Sequence, residues 1–213
     1  MPGGKDMRGD GEKRDWVFEE DPDNPGKKVL TGPALLITCF CAMFMLVTAL
    51  RFFVAEPFII PTPSMADTIG INDIVLGEKV SYRFTKPKRG DIVTFNDPRD
   101  RGITLIKRVI ATEGEVIDLR NGTVYIDNEA LDEPYTDGAR TEPLPQATDM
   151  IEEISYPYTI PEGHVWVMGD NRSNSKDSRY FGPIPVSDVT TRAFMISWPI
   201  ITENGLRLPF LLE

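Results

Sequence analysis

The 213-residue sequence holds one histidine and two cysteines. That scarcity excludes much familiar chemistry. A structural zinc site needs about four Cys or His ligands, and any Ser-His-Asp or Cys-His enzyme would have only His164 to use. An excess of positive charge is missing as well. Twenty-three basic residues face 33 acidic ones, for a net charge of −10. A nucleic-acid partner is therefore not expected, because such proteins normally carry a basic face. Apolar residues are not scarce: 41% of the chain is apolar and 26% charged, which permits a core and excludes wholesale disorder.

Charge disappears entirely between Val29 and Leu50, a run of 22 residues. At about 1.5 Å per residue this run reaches roughly 33 Å, enough to cross a hydrocarbon core of about 30 Å. It shows no polar stripe of the kind a buried core helix usually carries. It is also longer than the apolar region of a cleaved leader, and it runs into Leu50-Arg51-Phe52-Phe53 where such a leader would offer small residues. Lys27 and Lys28 flank its start, and only Arg51 and then Glu56 follow it. The positive-inside rule then places residues 1–28 in the cytoplasm and 51–213 outside. The expected organisation is a cytoplasmic disordered tail over 1–28, a transmembrane anchor over 29–50 and an extracytoplasmic β-rich domain over 51–213. Cys39 and Cys41 lie in the span, two apart and so on different helix faces. The body has no cysteine, which excludes a sortase-type thiol.

The body reads as β-rich. Short β-branched or aromatic runs occur at 73–76, 91–95, 123–126, 164–168 and 193–196. Asn121-Gly122 is a strong hairpin signal, since both residues tolerate the positive φ of a type I′ turn. From Glu129 to Glu153 there are eight acidic residues, one arginine and three prolines, which predicts a solvated insertion.

Three stretches carry chemistry. Pro61-Thr62-Pro63-Ser64-Met65 is a rigid, non-helical turn that holds two hydroxyls at fixed aim. In Ile103 to Ile110, Lys107 sits in the middle of an apolar strand, where an ammonium is costly to bury. Alternation puts Leu105, Lys107 and Val109 on one face and Ile106, Arg108 and Ile110 on the other. The bland alternative is a lysine whose stem lies on apolar surface while its head reaches water. Gly169 to Gly182 is a dense polar loop after an apolar strand, longer than a connection needs, in which Asp177 and Arg179 can pair.

Together these stretches resemble the type I (bacterial leader) signal peptidases. The resemblance rests on Ser64-Met65, Arg89-Gly90-Asp91-Ile92-Val93, Lys107-Arg108-Val109 and the box from Gly169 to Gly182, in that order. It covers about residues 30–200. It implies a mainly β fold of two antiparallel sheets behind one membrane helix. It implies a serine endopeptidase that removes signal peptides from exported preproteins, cutting after small residues at the first and third positions before the scissile bond. Residue by residue, it implies Ser64 as nucleophile, Lys107 as general base, Thr62 with the Ser64 N–H as oxyanion hole, Ser175 orienting the lysine, and Asp177 with Arg179 bracing the site. No cofactor and no metal are expected. The partners implied are signal peptides and membrane lipid, with the secretion machinery as a further candidate. Two departures from the family pattern bear on loop rigidity: Asp67 stands in place of a proline, and Ala111-Thr112-Glu113-Gly114 in place of Gly-x-Pro-Gly.

A Ser/Lys dyad also answers the shortage of histidine. A free lysine has a pKa of about 10.4, so at pH 8 only roughly 0.4% is neutral. The apolar run around Lys107 supplies the desolvation that lowers this value. Two alternatives remain open at this level: an inactive anchored β domain that binds exported chains, and a dedicated peptidase for pilins or one surface protein.

Overall fold

A computed structural model describes residues 17–66, 68–145, 154–198, 201–202, 205–206 and 210–212. It divides into two compact units, 1–50 and 51–213. In the first, β1 (Phe18–Glu20) and β2 (Lys28–Leu30) pair antiparallel. The tail was expected to be disordered through residue 28, and over its described part it is instead a short ribbon. Local turn chemistry accounts for it. Asp21 N–H donates to the Lys27 carbonyl at 2.8 Å, Asp21 Oδ1 accepts from Asp23 N–H at 3.0 Å, and Gly26 supplies a φ of +94°. Residues 1–16 of the tail lie outside the described residues.

The helix α1 (Gly32–Phe53) begins three residues into the uncharged run, because β2 takes up Val29 and Leu30. Thr31 Oγ1 accepts from Ala34 N–H at 3.4 Å, and Pro33 occupies the first turn, where its missing N–H costs nothing. Arg51 lies in the last turn, the favourable end for a cation. The side chains of Leu36, Phe40, Met43, Phe44 and Met45 are exposed. The helix is long and apolar enough to cross a membrane.

The body begins with β3 (Ala55–Ile59), a 3₁₀ turn at Pro63–Met65, β4 (Ile74–Glu78), β5 (Ile92–Asn96) and β6 (Thr104–Thr112). Next come β7 (Val116–Arg120), β8 (Thr123–Ile126), β9 (Glu129–Ala130), β10 (Tyr158–Thr159) and β11 (His164–Met168). A one-turn helix, α2 (Ser178–Phe181), leads to β12 (Ile184–Pro185) and the long β13 (Val189–Trp198). The last strands are β14 (Ile201–Thr202), β15 (Gly205–Leu206) and β16 (Phe210–Leu211).

The large antiparallel sheet runs β12-β11-β6-β5-β13-β4-β3, with β16 also pairing β13. A second, four-stranded sheet runs β10-β7-β8-β9. Its β7–β8 hairpin turns at Asn121 (φ 52°) and Gly122 (φ +84°), the two left-handed positions a type I′ turn demands. Pro57 lies within β3, which pairs only with β4, so the missing N–H falls on a sheet edge.

Three apolar clusters hold the body. Val93, Val109, Val167 and Phe181 form one, and Met65, Ile69, Val75 and Ile196 a second beneath the Ser64 turn. The third packs Ile110, Ile117, Val124 and Ile160 around Trp166 and joins the two sheets. Each such fully buried side chain contributes about 1.5–3 kcal/mol.

The acidic stretch corrects its sequence-based expectation. Residues 129–145 are largely solvated, as Glu129, Asp132, Asp137, Arg140 and Glu142 are exposed, but they are not a mere insertion: β9 completes the small sheet, and Thr136 and Thr141 are buried. Pro134 starts a 3₁₀ turn that Thr136 Oγ1 closes on the Glu133 carbonyl at 2.9 Å. Charge density misled because the partner of Glu133 is an arginine 39 residues away. Residues 146–153 lie outside the described residues.

Candidate active site

Ser64 sits in the Pro63–Met65 turn, one residue into a 3₁₀ start that Pro63 pre-sets and Ala66 N–H closes on the Pro63 carbonyl at 3.0 Å. Met65 anchors the turn in the core. Lys107 lies mid-way along β6, directly opposite Val93 of β5. Although 43 residues apart, the two meet: Lys107 Nζ donates to Ser64 Oγ at 2.7 Å and to its neighbour's carbonyl, Ile106 O, at 2.8 Å. Both residues are buried. Among the described residues no carboxylate forms an ion pair with Lys107. Burial of the ammonium lowers its pKa to about 8, against the opposing pull of Asp177 and Asp170. At such a value about half the lysine is neutral at pH 8, against under about 1% for a free side chain.

Thr62 Oγ1 lies 3.4 Å from Ser64 Oγ on the exposed side of the turn. A cleft of about 230 Å³ opens beside the pair, bounded by Phe58, Ile60, Thr62, Thr94, Leu105 and Ile106. Its walls are largely apolar, and Lys107 itself lines it.

The loop 169–182 cradles this pair from behind. Asn171 N–H donates to the Ser64 carbonyl at 3.2 Å, and Asn171 Nδ2 to the Pro63 carbonyl at 3.1 Å. Asp177 and Arg179 form a buried two-point pair, Nε to Oδ1 and NH2 to Oδ2, each at 2.9 Å. Asp177 also caps α2 and accepts from Gly169 N–H at 3.0 Å. A Cβ at Gly169 would collide with Ser175 Oγ and the Ser64 carbonyl, so glycine is what lets the loop close on the turn. Ser175 is buried beside that carbonyl, yet its hydroxyl makes no hydrogen bond to Lys107, whose second bond goes to Ile106 O.

His164 opens β11 with its ring against the Glu162 carbonyl at 2.8 Å and takes no part in the cluster. Among the described residues no His, Cys, Asp and Glu group suits a metal. The departures near residue 112 are accounted for locally. Ala111 packs in the Trp166 cluster. Glu113 accepts from Lys86 at 2.6 Å and from Gly163 N–H at 2.8 Å, while Gly114 takes a φ of +81°. Asp67 lies outside the described residues.

Several contributors escape sequence reasoning. Arg108, on the opposite face of β6, binds Asp170 through Nε at 2.9 Å and NH2 at 2.8 Å, and Thr68 Oγ1 donates to the same carboxylate at 2.6 Å. Arg172 is held by Glu133, Thr141 and the Gly169 carbonyl. The one available signal was that Asp170 and Arg172 flank Asn171 in a short polar loop; their partners lie 62 and 39 residues away.

Residues 34–198 match the family model described as "Signal peptidase, peptidase S26". The chain is similar to a "Probable signal peptidase I-1" of Synechocystis sp., 39% identical over 174 residues, which cover 78% of this chain and 81% of that protein. A "Probable signal peptidase I-2" of the same organism is 38% identical over 192 residues (85% and 78%). A "Signal peptidase I" of Pseudomonas aeruginosa is 32% identical over 224 residues (84% and 79%).

Proposed function

The chain belongs to the signal peptidase family, peptidase S26, and we propose that within it Ser64 is the nucleophile and Lys107 the general base. The activity is that of a serine endopeptidase that removes signal peptides from exported preproteins. The observation that carries the residue assignment is the 2.7 Å contact between Lys107 Nζ and Ser64 Oγ in a site that holds the lysine near a pKa of 8.

Neutral Lys107 takes the Ser64 proton along that axis, and Oγ attacks the scissile carbonyl. Ser64 N–H and Thr62 Oγ1 donate to the developing oxyanion. The Lys107 ammonium then returns its proton to the leaving amine, and the acyl-enzyme forms as a Ser64 ester. Water deprotonated by Lys107 attacks the ester and frees Ser64. Ser175 is the residue proposed to orient the lysine: among the described residues its buried hydroxyl has no hydrogen-bond partner, and it lies beside the Ser64 carbonyl. Asp177 and Arg179 brace the loop that carries it. The small apolar cleft suits short side chains at the first and third positions before the cut.

α1 is the proposed membrane anchor, taking up most of the uncharged 29–50 run, with the N-terminus cytoplasmic and the body beyond the cell membrane, in accord with Lys27 and Lys28 at the start of that run. Lipid around α1 and the machinery that delivers preproteins complete the partners of this reading. Protease added outside spheroplasts should digest the body; a protected body would reverse the orientation.

Ser64→Ala and Lys107→Ala should each abolish precursor cleavage in folded protein, and the double variant should be no worse than either. Substantial cleavage by Lys107→Ala would show that another base acts.

A further inference from the structure

We propose that Glu133 is a positioning residue for this reaction, acting on Ser64 through Arg172 and Asn171. The inference rests on Ser64 being the nucleophile.

The Ser64 turn is held from behind by Asn171, whose backbone and side chain each bond to one of its carbonyls. Asn171 can do this only while the loop on either side of it is fixed. On one side, Asp170 is fixed by Arg108 and Thr68. On the other, the fixed point is Arg172, a guanidinium with no exposed side-chain surface. Its NH1 and NH2 donate to the two oxygens of Glu133 at 2.9 and 2.6 Å, and NH1 also donates to Thr141 Oγ1 at 2.6 Å. Its Nε donates to the Gly169 carbonyl at 3.1 Å. Both charge and geometry of Arg172 are therefore satisfied by Glu133, which itself belongs to the segment following β9.

The same segment reaches the base's strand. Tyr135 donates from its hydroxyl to Glu133 Oε1 at 3.0 Å and lays its ring under Arg108 at 4.1 Å. Arg108 is the chain neighbour of Lys107. Glu133 and Tyr135 thus grip the clamp of the nucleophile and the neighbour of the base from one side. Removing the Glu133 charge leaves a buried guanidinium without its hydrogen-bonded carboxylate, with Asp170 the remaining acidic neighbour, and the loop can relieve that by moving. A misplacement of about 1 Å at a reacting centre costs roughly 10²-fold in rate.

The test is steady-state cleavage of a precursor by the full chain in detergent, well below the melting temperature of each variant. Glu133→Gln should lower kcat about 10- to 100-fold with KM within about twofold, since substrate contacts are untouched. In a cycle with Asn171→Ala the losses should not multiply, because both act through one clamp. Wild-type kcat in folded Glu133→Gln, or losses that multiply, would overturn the proposal. If Glu133→Gln does not fold, Thr141→Val removes an Arg172 partner without touching Glu133; lowered kcat supports the clamp and unchanged kcat overturns it. Ser64→Ala in the same assay separates the two claims. Cleavage by Ser64→Ala sinks the nucleophile assignment, whereas an inactive Ser64→Ala beside a fully active Glu133→Gln sinks only the role of Glu133.

Discussion

Lys107 and Arg108 are adjacent cations on opposite faces of β6, each 3% exposed, and the protein treats them in opposite ways. On the Arg108 face the charge is met in full. Asp170 takes two of its donors, the Gly90 carbonyl a third at 3.0 Å, and the Tyr135 ring lies beneath it. On the Lys107 face the charge meets a hydroxyl, a carbonyl and an apolar cleft. The first arrangement compensates a charge that a guanidinium always carries. The second makes the lysine charge conditional, which is what a proton acceptor requires. Burial penalises both cations, and the placement of carboxylates decides whether that penalty is compensated.

Substitution by methionine should separate the faces by sign. Arg108→Met leaves Asp170 buried without its cation and should destabilise the body by about 3–5 kcal/mol in urea unfolding. A loss below about 1 kcal/mol would mean the pair is ordinary surface electrostatics.

On the other face, Thr62→Val should change rate without stability. If Thr62 donates to the oxyanion as proposed, its loss should lower kcat by about 10²–10³, with KM little altered and Thr62→Ser active. Equal kcat for wild type and Thr62→Val would leave the Ser64 amide as the sole donor.

Lys107→Met should stabilise the protein, by about 3 kcal/mol near pH 7. The sign follows from the direction of the shift. Folding lowers the lysine pKa from 10.5 to about 8, so the folded state pays for the charge at any pH below 8. That penalty shrinks as pH rises from 8 and is gone above about 10.5. Melting curves of both proteins at pH 7 and pH 11 check it. A gain that persists at pH 11 would assign the effect to packing.

The two faces also differ in how far the sequence discloses them. An isolated lysine in the apolar run 103–110 is conspicuous, and so is a serine between prolines, because both are local anomalies. β5, β8 and β11 are legible for the same reason, as runs of β-branched and aromatic residues. β3 is not: Pro57 and Glu56 disguise it, and only its edge position makes them acceptable. Glu133 is lost in an acidic stretch whose charge density signals solvent. Its burial against Arg172 is decided by tertiary pairing, which leaves no mark on a window of neighbouring residues. What is anomalous in its own neighbourhood can be read, and what is satisfied from a distance cannot.

The proposed nucleophile, Ser64, is held by contacts that span 43 residues to the proposed base and 108 from the Asn171 amide to the Pro63 carbonyl. Local pairing cannot form either, so both await closure of the large sheet, a slow class of folding event. During synthesis, Ser64 and Lys107 are made long before Asn171. A growing chain therefore carries the proposed nucleophile and base as separate residues. On that assignment, order of assembly works as a safeguard: the proposed centre is complete only once the chain through Asn171 has been made and folded.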